Sequence, residues 1–392
     1  MKNIASFLLL SFTLIFFSCS NSSDDVAIDS YPNVTAKFTG KIDLNNIANY
    51  ANQVKPAYIT KDNTAGNLIT DKGATLGRVL FYDKNLSANN TISCSSCHIQ
   101  ANAFGDVAIA SDGINGTTTR HAMRLINSRF ANENKFFWDE RAATLEFQTT
   151  QPIQNHIEMG FSGTLGDTPI SALIAKLQNV SYYKELFKFA FGTEEITENK
   201  IQLALAQFVR SIQSFDSKYD TGRALVTTDN QLFSNFTAQE NQGKNLFLAP
   251  PVFDATGNRT SGGIGCAACH AAPEFDIDPN TRNNGIIGII NGTGIDITNT
   301  RAPSLRDLVK TDGTTNGPMM HTGNLVTLQN VIGHYGSINL ALGNTNLDPR
   351  LRPNGFGQQL HLTATEVNSL IAFLKTLSGT NVYTDSKWSS PF

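Results

Sequence analysis

Apolar residues recur with the period of an α-helix in three stretches of the chain. The first stripe is Ile170, Leu173, Ile174 and Leu177, the second is Ile201, Leu205, Phe208, Val209 and Ile212, and the third is Val367, Leu370, Ile371 and Leu374. Residues three and four apart lie on one face of a helix. The spacing therefore predicts amphipathic helices that each bury one side.

Two helix starts are marked by polar residues. Thr363 with Glu366 and Thr237 with Glu240 have the spacing of a capping box, in which each side chain accepts a hydrogen bond from the other residue's backbone N–H. Signals for strands are scarce, and the Gly- and Asn-rich stretches 283–294 and 342–353 predict long loops. The pattern favours an all-α fold with large loops.

The N-terminus has the pattern of an export signal. Lys2 precedes an apolar run over residues 4–17, which is shorter than the ~20 residues that span a membrane. Cys19 and the polar residues 20–25 follow, an order that resembles a bacterial lipoprotein signal in which the cysteine carries the lipid. The alternative is an ordinary cleaved signal. Both place the mature protein outside the cytoplasm, and the first predicts a periplasmic or outer-membrane protein anchored through Cys19.

The length and charge of the chain limit the classes of function that it can have. The 392 residues exceed the usual size of one domain, so two domains are expected. The chain has 33 acidic and 30 basic residues, a net charge of −3 and no long charged run. Nucleic-acid binding proteins usually carry a basic patch or stripe. We therefore exclude nucleic acid as a partner.

Three short motifs occur twice in the same order. The motif G-[RK]-x-L-F begins at Gly77 and Gly243, C-x-x-C-H at Cys94 and Cys266, and T-R at Thr119 and Thr300. Repetition in one order indicates a tandem duplication. We predict a signal at 1–19, a polar linker and N-terminal extension at 20–57, and two cytochrome c-like haem domains at 58–220 and 221–392.

The paired cysteines predict covalent haem. In C-x-x-C-H the two thiols bond one porphyrin and the adjacent imidazole binds its iron. A redox dithiol would need a βαβ context that the sequence lacks, and a zinc site would leave the repeated histidine unexplained. Two haem c groups are thus expected, and the residues that hold them are Cys94, Cys97, His98, Cys266, Cys269 and His270.

Longer stretches resemble the bacterial dihaem cytochrome c peroxidases and their relatives of the MauG type. The matching segments are GRVLFYDKNLS from Gly77, FWDERAATLEFQ from Phe137, RAPSLRDL from Arg301 and MHTG from Met320. The resemblance implies that peroxide reacts at the His98 haem, with Gln148 and Glu158 as catalytic residues. It also implies that Trp138 carries electrons between the haems.

This chain departs from the family at several positions. The loop 111–116 lacks the histidine that many of the peroxidases place on the first iron, so we expect an open sixth position there. On the second iron the family's Met or Tyr aligns best with Tyr335, whereas His334 and Met320 stay open as alternatives. Glu140 replaces a glycine. For the family's calcium, Asn316 and Pro318 match, but His121 stands where Asn is usual, which leaves calcium open.

The expected activity is reduction of hydrogen peroxide to water, with electrons from a small cytochrome c or cupredoxin. One alternative is MauG-like oxidation of side chains in a protein substrate, and another is a pure electron-transfer dihaem cytochrome. The resemblance leaves a homodimer open.

Overall fold

Helices form most of the regular structure in this computed structural model, which describes residues 29–132, 135–277, 280–299 and 301–392. They are α1 (Pro32–Lys37), α2 (Asp71–Tyr82), α3 (Cys94–Cys97), α4 (Leu145–Thr150), α5 (Ile170–Gln178), α6 (Ser181–Phe191), α7 (Glu198–Ser211), α8 (Lys218–Arg223), α9 (Ala238–Leu248), α10 (Leu328–Gly336) and α11 (Ala364–Lys375). Short 3₁₀ turns lie at Lys84–Leu86, Gln100–Asn102, Cys266–Ala268, Pro349–Leu351, Pro353–Gly355, Asn381–Tyr383 and Ser386–Trp388.

The three apolar stripes lie on α5, α7 and α11, as their period predicts. All five apolar residues of the second stripe are buried, four of them on α7 and Ile212 as its C-cap. Both capping boxes are present, with Thr237 at the start of α9 and Thr363 at the start of α11. These helices are confirmed because their signals are local.

The prediction of an all-α fold is too narrow, because short strands accompany the helices. They form three antiparallel pairs: β1 (Asp112–Gly113) with β2 (Gly116–Thr117), β3 (Pro251–Phe253) with β4 (Arg259–Gly262), and β5 (His270–Ala271) with β6 (Asp276–Ile277). A strand of two to four residues is too short to display an alternating pattern. The described chain is therefore helix-rich rather than purely helical.

Two large apolar clusters form the core of the described residues. The first is built around α2, α5, α6 and α7, and the second around α9, α10 and α11. Val34 and Phe38, from the predicted linker and extension, and Trp388, near the C-terminus, also pack in the first cluster. The described part of this stretch, residues 29–57, thus contributes to the core, because its apolar residues reach α6. The domain boundaries stay a prediction.

Both copies of G-[RK]-x-L-F place a glycine where two helices cross. A Cβ on Gly77 in α2 would overlap the carbonyl oxygen of Ala204 in α7, and a Cβ on Gly243 in α9 would overlap that of Ser369 in α11. The close approach of the backbones requires glycine at both crossings. The repeated sequence therefore corresponds to a repeated helix pair.

We expect Gly243→Ala to lower the free energy of unfolding by about 1–3 kcal/mol, because the added methyl overpacks the crossing. Alanine is the better helix former by ~1 kcal/mol, so the overlap decides the sign. Gly333→Ala in α10 is the matched control: a Cβ there meets no atom within 4 Å, and the change should stabilise. Denaturant unfolding of the holoprotein measures both. Equal shifts in the two variants would contradict the role of the crossing.

The long loops are held by a buried carboxylate, that of Asp348, and the half-buried guanidinium of Arg350. Arg350 donates to both carboxylate oxygens of Asp348, at 2.8 and 2.7 Å, and to the carbonyl oxygen of Ala268, at 2.7 Å. Asp348 also accepts a hydrogen bond from the backbone N–H of Arg282. These contacts fix the predicted loops 283–294 and 342–353 against the second C-x-x-C-H motif.

The predicted signal segment and Cys19 lie outside the described residues. Within those residues, no helix is long and apolar enough to cross a membrane.

Candidate active site

The first C-x-x-C-H motif forms one helical turn followed by a histidine. α3 brings Cys94 and Cys97 to the same side because residues three apart are neighbours on a helix. Nδ1 of His98 lies 3.1 Å from the carbonyl oxygen of Phe104, which leaves Nε2 available for a metal. Burial raises the pKa of the Cys94 thiol to about 12 and that of Cys97 to about 11, so neither is a reactive thiolate.

A cavity of about 190 Å³ brings together the predicted residues of the first half. His98, Trp138, Gln148 and Glu158 all line it. They come from the end of α3, a turn, α4 and the loop after α4. An imidazole, an amide and a carboxylate thus face one space.

The loop that lacks the family's histidine packs directly on the backbone of Glu158. The backbone N–H of Ile114 donates to the carbonyl oxygen of Glu158 at 3.1 Å. A Cβ on Gly113 would overlap the carbonyl oxygen of Ile157, so glycine allows this close approach. Burial raises the pKa of the Glu158 carboxyl, and the charge of Arg141 partly offsets this rise.

We expect Arg141→Gln to move the acidic limb of the kcat/KM profile for peroxide to higher pH. In its predicted role Glu158 accepts a proton from peroxide and must be ionised to do so, and we therefore expect activity to fall as the pH drops through its pKa. Arg141 lowers that pKa, and its removal therefore raises it. The profile is measured as initial velocity against pH. Arg141→Lys keeps the charge and should keep the profile, and an unshifted limb in Arg141→Gln would argue against this coupling.

The second C-x-x-C-H motif lines a larger cavity, of about 410 Å³. Cys266, Cys269 and His270 lie on its wall, and the remaining lining is mainly apolar. Burial lowers the pKa of His270 to about 4, which keeps the imidazole neutral, the form that binds metals. The space therefore suits a large apolar group with one imidazole ligand.

The three candidates for the sixth ligand of the second iron are placed differently. Tyr335 and Met320 line the larger cavity. His334 is not among the residues that line it, and its Nε2 lies 2.9 Å from the carbonyl oxygen of Asn284. The phenol of Tyr335 is buried, which raises its pKa, so a bound cation would be needed to hold the phenolate.

Trp138 lines both cavities. Its Nε1–H donates to the carbonyl oxygen of His121 at 2.8 Å, and its ring lies 6.3 Å from that of His321, centroid to centroid. The turn that carries it has left-handed backbone at Phe137 (φ 71°) and Glu140 (φ 57°). The positive φ at Glu140 explains why the family has glycine at that position, because glycine adopts this backbone conformation without strain. Trp138 thus stands in the wall between the two spaces.

Arg124 is a cavity residue that the sequence patterns did not reveal. Its side chain lines both cavities, and its Nε atom is buried with no hydrogen-bond partner among the described residues. An unpartnered buried guanidinium N–H fits an anionic group, such as the carboxylates of a porphyrin. Arg124 itself belongs to none of the repeated motifs, whereas Arg301, which lines the same two cavities, belongs to the repeated T-R motif.

The predicted calcium ligands are the backbone carbonyl oxygens of Asn316 and Pro318, with His121 at the position of the family's Asn. Nδ1 of His121 lies 2.9 Å from the carbonyl oxygen of Ala108. Pro318 lines the larger cavity. In the described part of the chain no three His, Cys, Asp or Glu side chains cluster as a metal site, but carbonyl ligands lie outside that criterion. Calcium binding stays a prediction.

Comparison with known proteins finds a family model and several relatives that resemble this chain. Residues 71–225 match the model of the family described as "Di-haem cytochrome c peroxidase". The methylamine utilization protein MauG of Methylophilus methylotrophus is 29% identical over 324 residues, covering 80% of this chain and 84% of that protein. The cytochrome c551 peroxidase of Nitrosomonas europaea is 28% identical over 324 residues, covering 78% and 80%.

A solved structure extends the comparison to the fold. A MauG-like protein associated with microbial copper homeostasis aligns with a TM-score of 0.65 and 28% identity, covering 87% of this chain and 99% of that one. The chain is therefore similar, in sequence and in fold, to the di-haem cytochrome c peroxidases and MauG proteins.

Proposed function

We propose that this protein reduces hydrogen peroxide to water, using two covalently bound haem c groups and electrons from a small cytochrome c or cupredoxin. The observation that carries the proposal is the single cavity lined by His98, Gln148 and Glu158, with Trp138 shared between it and the second cavity. Peroxidases among the relatives support the same class of oxidoreductase.

When bound, haem supplies the iron at which peroxide is reduced and through which electrons arrive. Glu158 takes the proton from one peroxide oxygen and returns it to the departing oxygen, because one carboxylate can reach both. Gln148 orients the peroxide through its amide. With two electrons and two protons, one peroxide gives two water molecules.

The second cavity receives the electrons in this proposal. His270 and Tyr335 would hold the iron there, and the donor would dock outside. Trp138, which lines both cavities, would carry electrons toward the first cavity. Arg124 balances the negative charge of the porphyrin carboxylates with its unpartnered Nε–H.

MauG-like oxidation of a protein substrate is the second candidate. Tyr335 on the wall of the larger cavity and the absence of histidine from the loop 111–116 favour it. A pure electron-transfer cytochrome, in contrast, has no use for a carboxylate and an amide in the first cavity. Gln148 and Glu158 therefore argue against that class.

Mixing experiments separate these functions. The ferric holoprotein is mixed with hydrogen peroxide in the presence and absence of reduced cytochrome c, and peroxide consumption is followed with the haem spectrum. Continuous consumption that requires the reduced donor supports the peroxidase. A spectral change that persists with the donor present supports the MauG-like function, and no reaction with peroxide refutes both.

The export and assembly of the protein belong to the same proposal. The N-terminal pattern supports export to the periplasm or outer membrane with a lipid on Cys19, and the repeated motifs support domains at 58–220 and 221–392. A homodimer and one calcium ion remain part of the hypothesis.

A further inference from the structure

Asn284 contacts two of the residues that could bind the second iron. Its Nδ2 amino group lies 3.2 Å from the sulfur of Met320 and 3.4 Å from the hydroxyl oxygen of Tyr335. Both partners line the cavity of His270. One amide therefore reaches a thioether and a phenol that compete for the same metal.

The orientation of this amide is fixed by its other end. The backbone N–H of Ile286 donates to Oδ1 of Asn284 at 3.1 Å. A backbone N–H can only donate, so Oδ1 must face Ile286 and Nδ2 must face the cavity side. The carbonyl oxygen of Asn284 is in turn held by Nε2 of His334, at 2.9 Å. Asn284 is thus anchored at two atoms, Oδ1 and the backbone carbonyl oxygen, besides its contacts with the candidate ligands.

The backbones of the two candidate ligands, Tyr335 and Met320, are themselves held in place. Gln358 donates to the carbonyl oxygen of Tyr335 at 2.7 Å. Met320 occupies left-handed backbone (φ 69°), and its carbonyl oxygen accepts a hydrogen bond from the N–H of Gly323 at 3.0 Å. Neither residue needs a loop rearrangement to stay beside Asn284, so the amide can bias a choice between two groups that are both present.

We propose that Asn284 selects the sixth ligand of the second iron, by donating one N–H to the Met320 sulfur and the other toward the Tyr335 oxygen, so that Tyr335 binds and Met320 is kept off. This rests on the proposed function only in placing a haem on His270. Asn284 is a positioning residue, because it acts through the two side chains.

The physical basis is the opposite effect of one donor on two ligands. A hydrogen bond to sulfur takes up one of the two lone pairs of the thioether and makes the sulfur a weaker donor to iron. A hydrogen bond to a phenolate oxygen favours its charged form, which is the form that binds ferric iron. Thioethers are soft ligands and phenolates hard ones. A methionine ligand also raises the reduction potential of a haem, so the choice sets how readily this haem accepts electrons.

Asn284→Asp tests the inference, because it keeps the shape of the side chain and replaces the donor by an acceptor oxygen. We expect the ferric holoprotein to change from tyrosine to methionine ligation at the second haem. Electron paramagnetic resonance, visible spectra and a rise in the potential of that haem report the change. Asn284→Ala is the second variant, in case the carboxylate impairs folding.

Two further variants identify the ligands. Tyr335→Phe provides the reference spectrum for loss of tyrosine, and Met320→Leu in the Asn284→Asp background should remove the new signal. Any ligand set in the wild type other than histidine and tyrosine overturns the inference, as does an unchanged sixth ligand in both Asn284 variants. Peroxide turnover of the wild type is measured in parallel. If turnover persists while the ligand is unchanged, only this inference fails; if turnover is absent, the proposed function fails.

Discussion

Replacing Glu158 by Gln is expected to lower kcat for peroxide reduction by about 10²- to 10⁴-fold, the usual contribution of general acid–base catalysis. The amide has nearly the same shape as the carboxylate, so the cavity that also contains His98 and Gln148 should keep its form. It cannot take a proton from peroxide at neutral pH, however. Steady-state consumption of peroxide with reduced cytochrome c measures the loss.

The control for this experiment is a glutamate remote from both cavities. Glu194 is 54% exposed, and its carboxylate lies 3.8 Å from the Lys188 ammonium. Exposed ion pairs contribute little, so Glu194→Gln should leave kcat unchanged. Both variants must retain two haems, as judged by absorbance and by intact mass. Wild-type kcat in Glu158→Gln would show that the carboxylate has no part in the reaction.

Removing the paired cysteines one motif at a time is expected to separate the two halves of the site. Cys94→Ala with Cys97→Ala should leave one covalent haem and abolish reaction with peroxide, because Gln148 and Glu158 line only the first cavity. Cys266→Ala with Cys269→Ala should also leave one haem. In that variant peroxide should still react once, but reduced cytochrome c should no longer sustain turnover.

Intact mass after washing in acidic acetone counts the haem groups that stay bonded to the chain. Circular dichroism is recorded in parallel, since a folded protein is needed before loss of activity can be assigned to one cavity. If either double variant retained the mass of two haems, covalent attachment at that motif would be wrong. If both double variants lost the reaction with peroxide equally, the assignment of that reaction to the first cavity alone would be wrong.

Several local elements of this protein could be predicted from sequence alone. The stripe on α7 spans about three turns of helix and the capping box before α11 spans four residues, so residues close in sequence carry the whole signal. The two C-x-x-C-H motifs are equally local. Glu158 and Gln148, in contrast, are ordinary polar residues, and only the likeness to a known family indicated them.

Contacts between distant segments were decided by the tertiary structure. Asn284 meets Met320 and Tyr335 across 36 and 51 residues of chain. Trp138 lines both cavities, a position that only the resemblance to a known family had implied. The strands of two to four residues form where two segments of loop lie side by side and pair.

The sequence by itself determined the helices α5, α7, α9 and α11, the starts of the last two, the repeated glycine and cysteine motifs and the class of cofactor. Tertiary structure alone decided that Arg124 faces both cavities, that Gly77 and Gly243 mark helix crossings, and which candidate ligands face His270. The physical reason is that periodicity and capping act over about four residues, whereas the walls of a cavity are chosen by the packing of segments that the order of the chain keeps far apart.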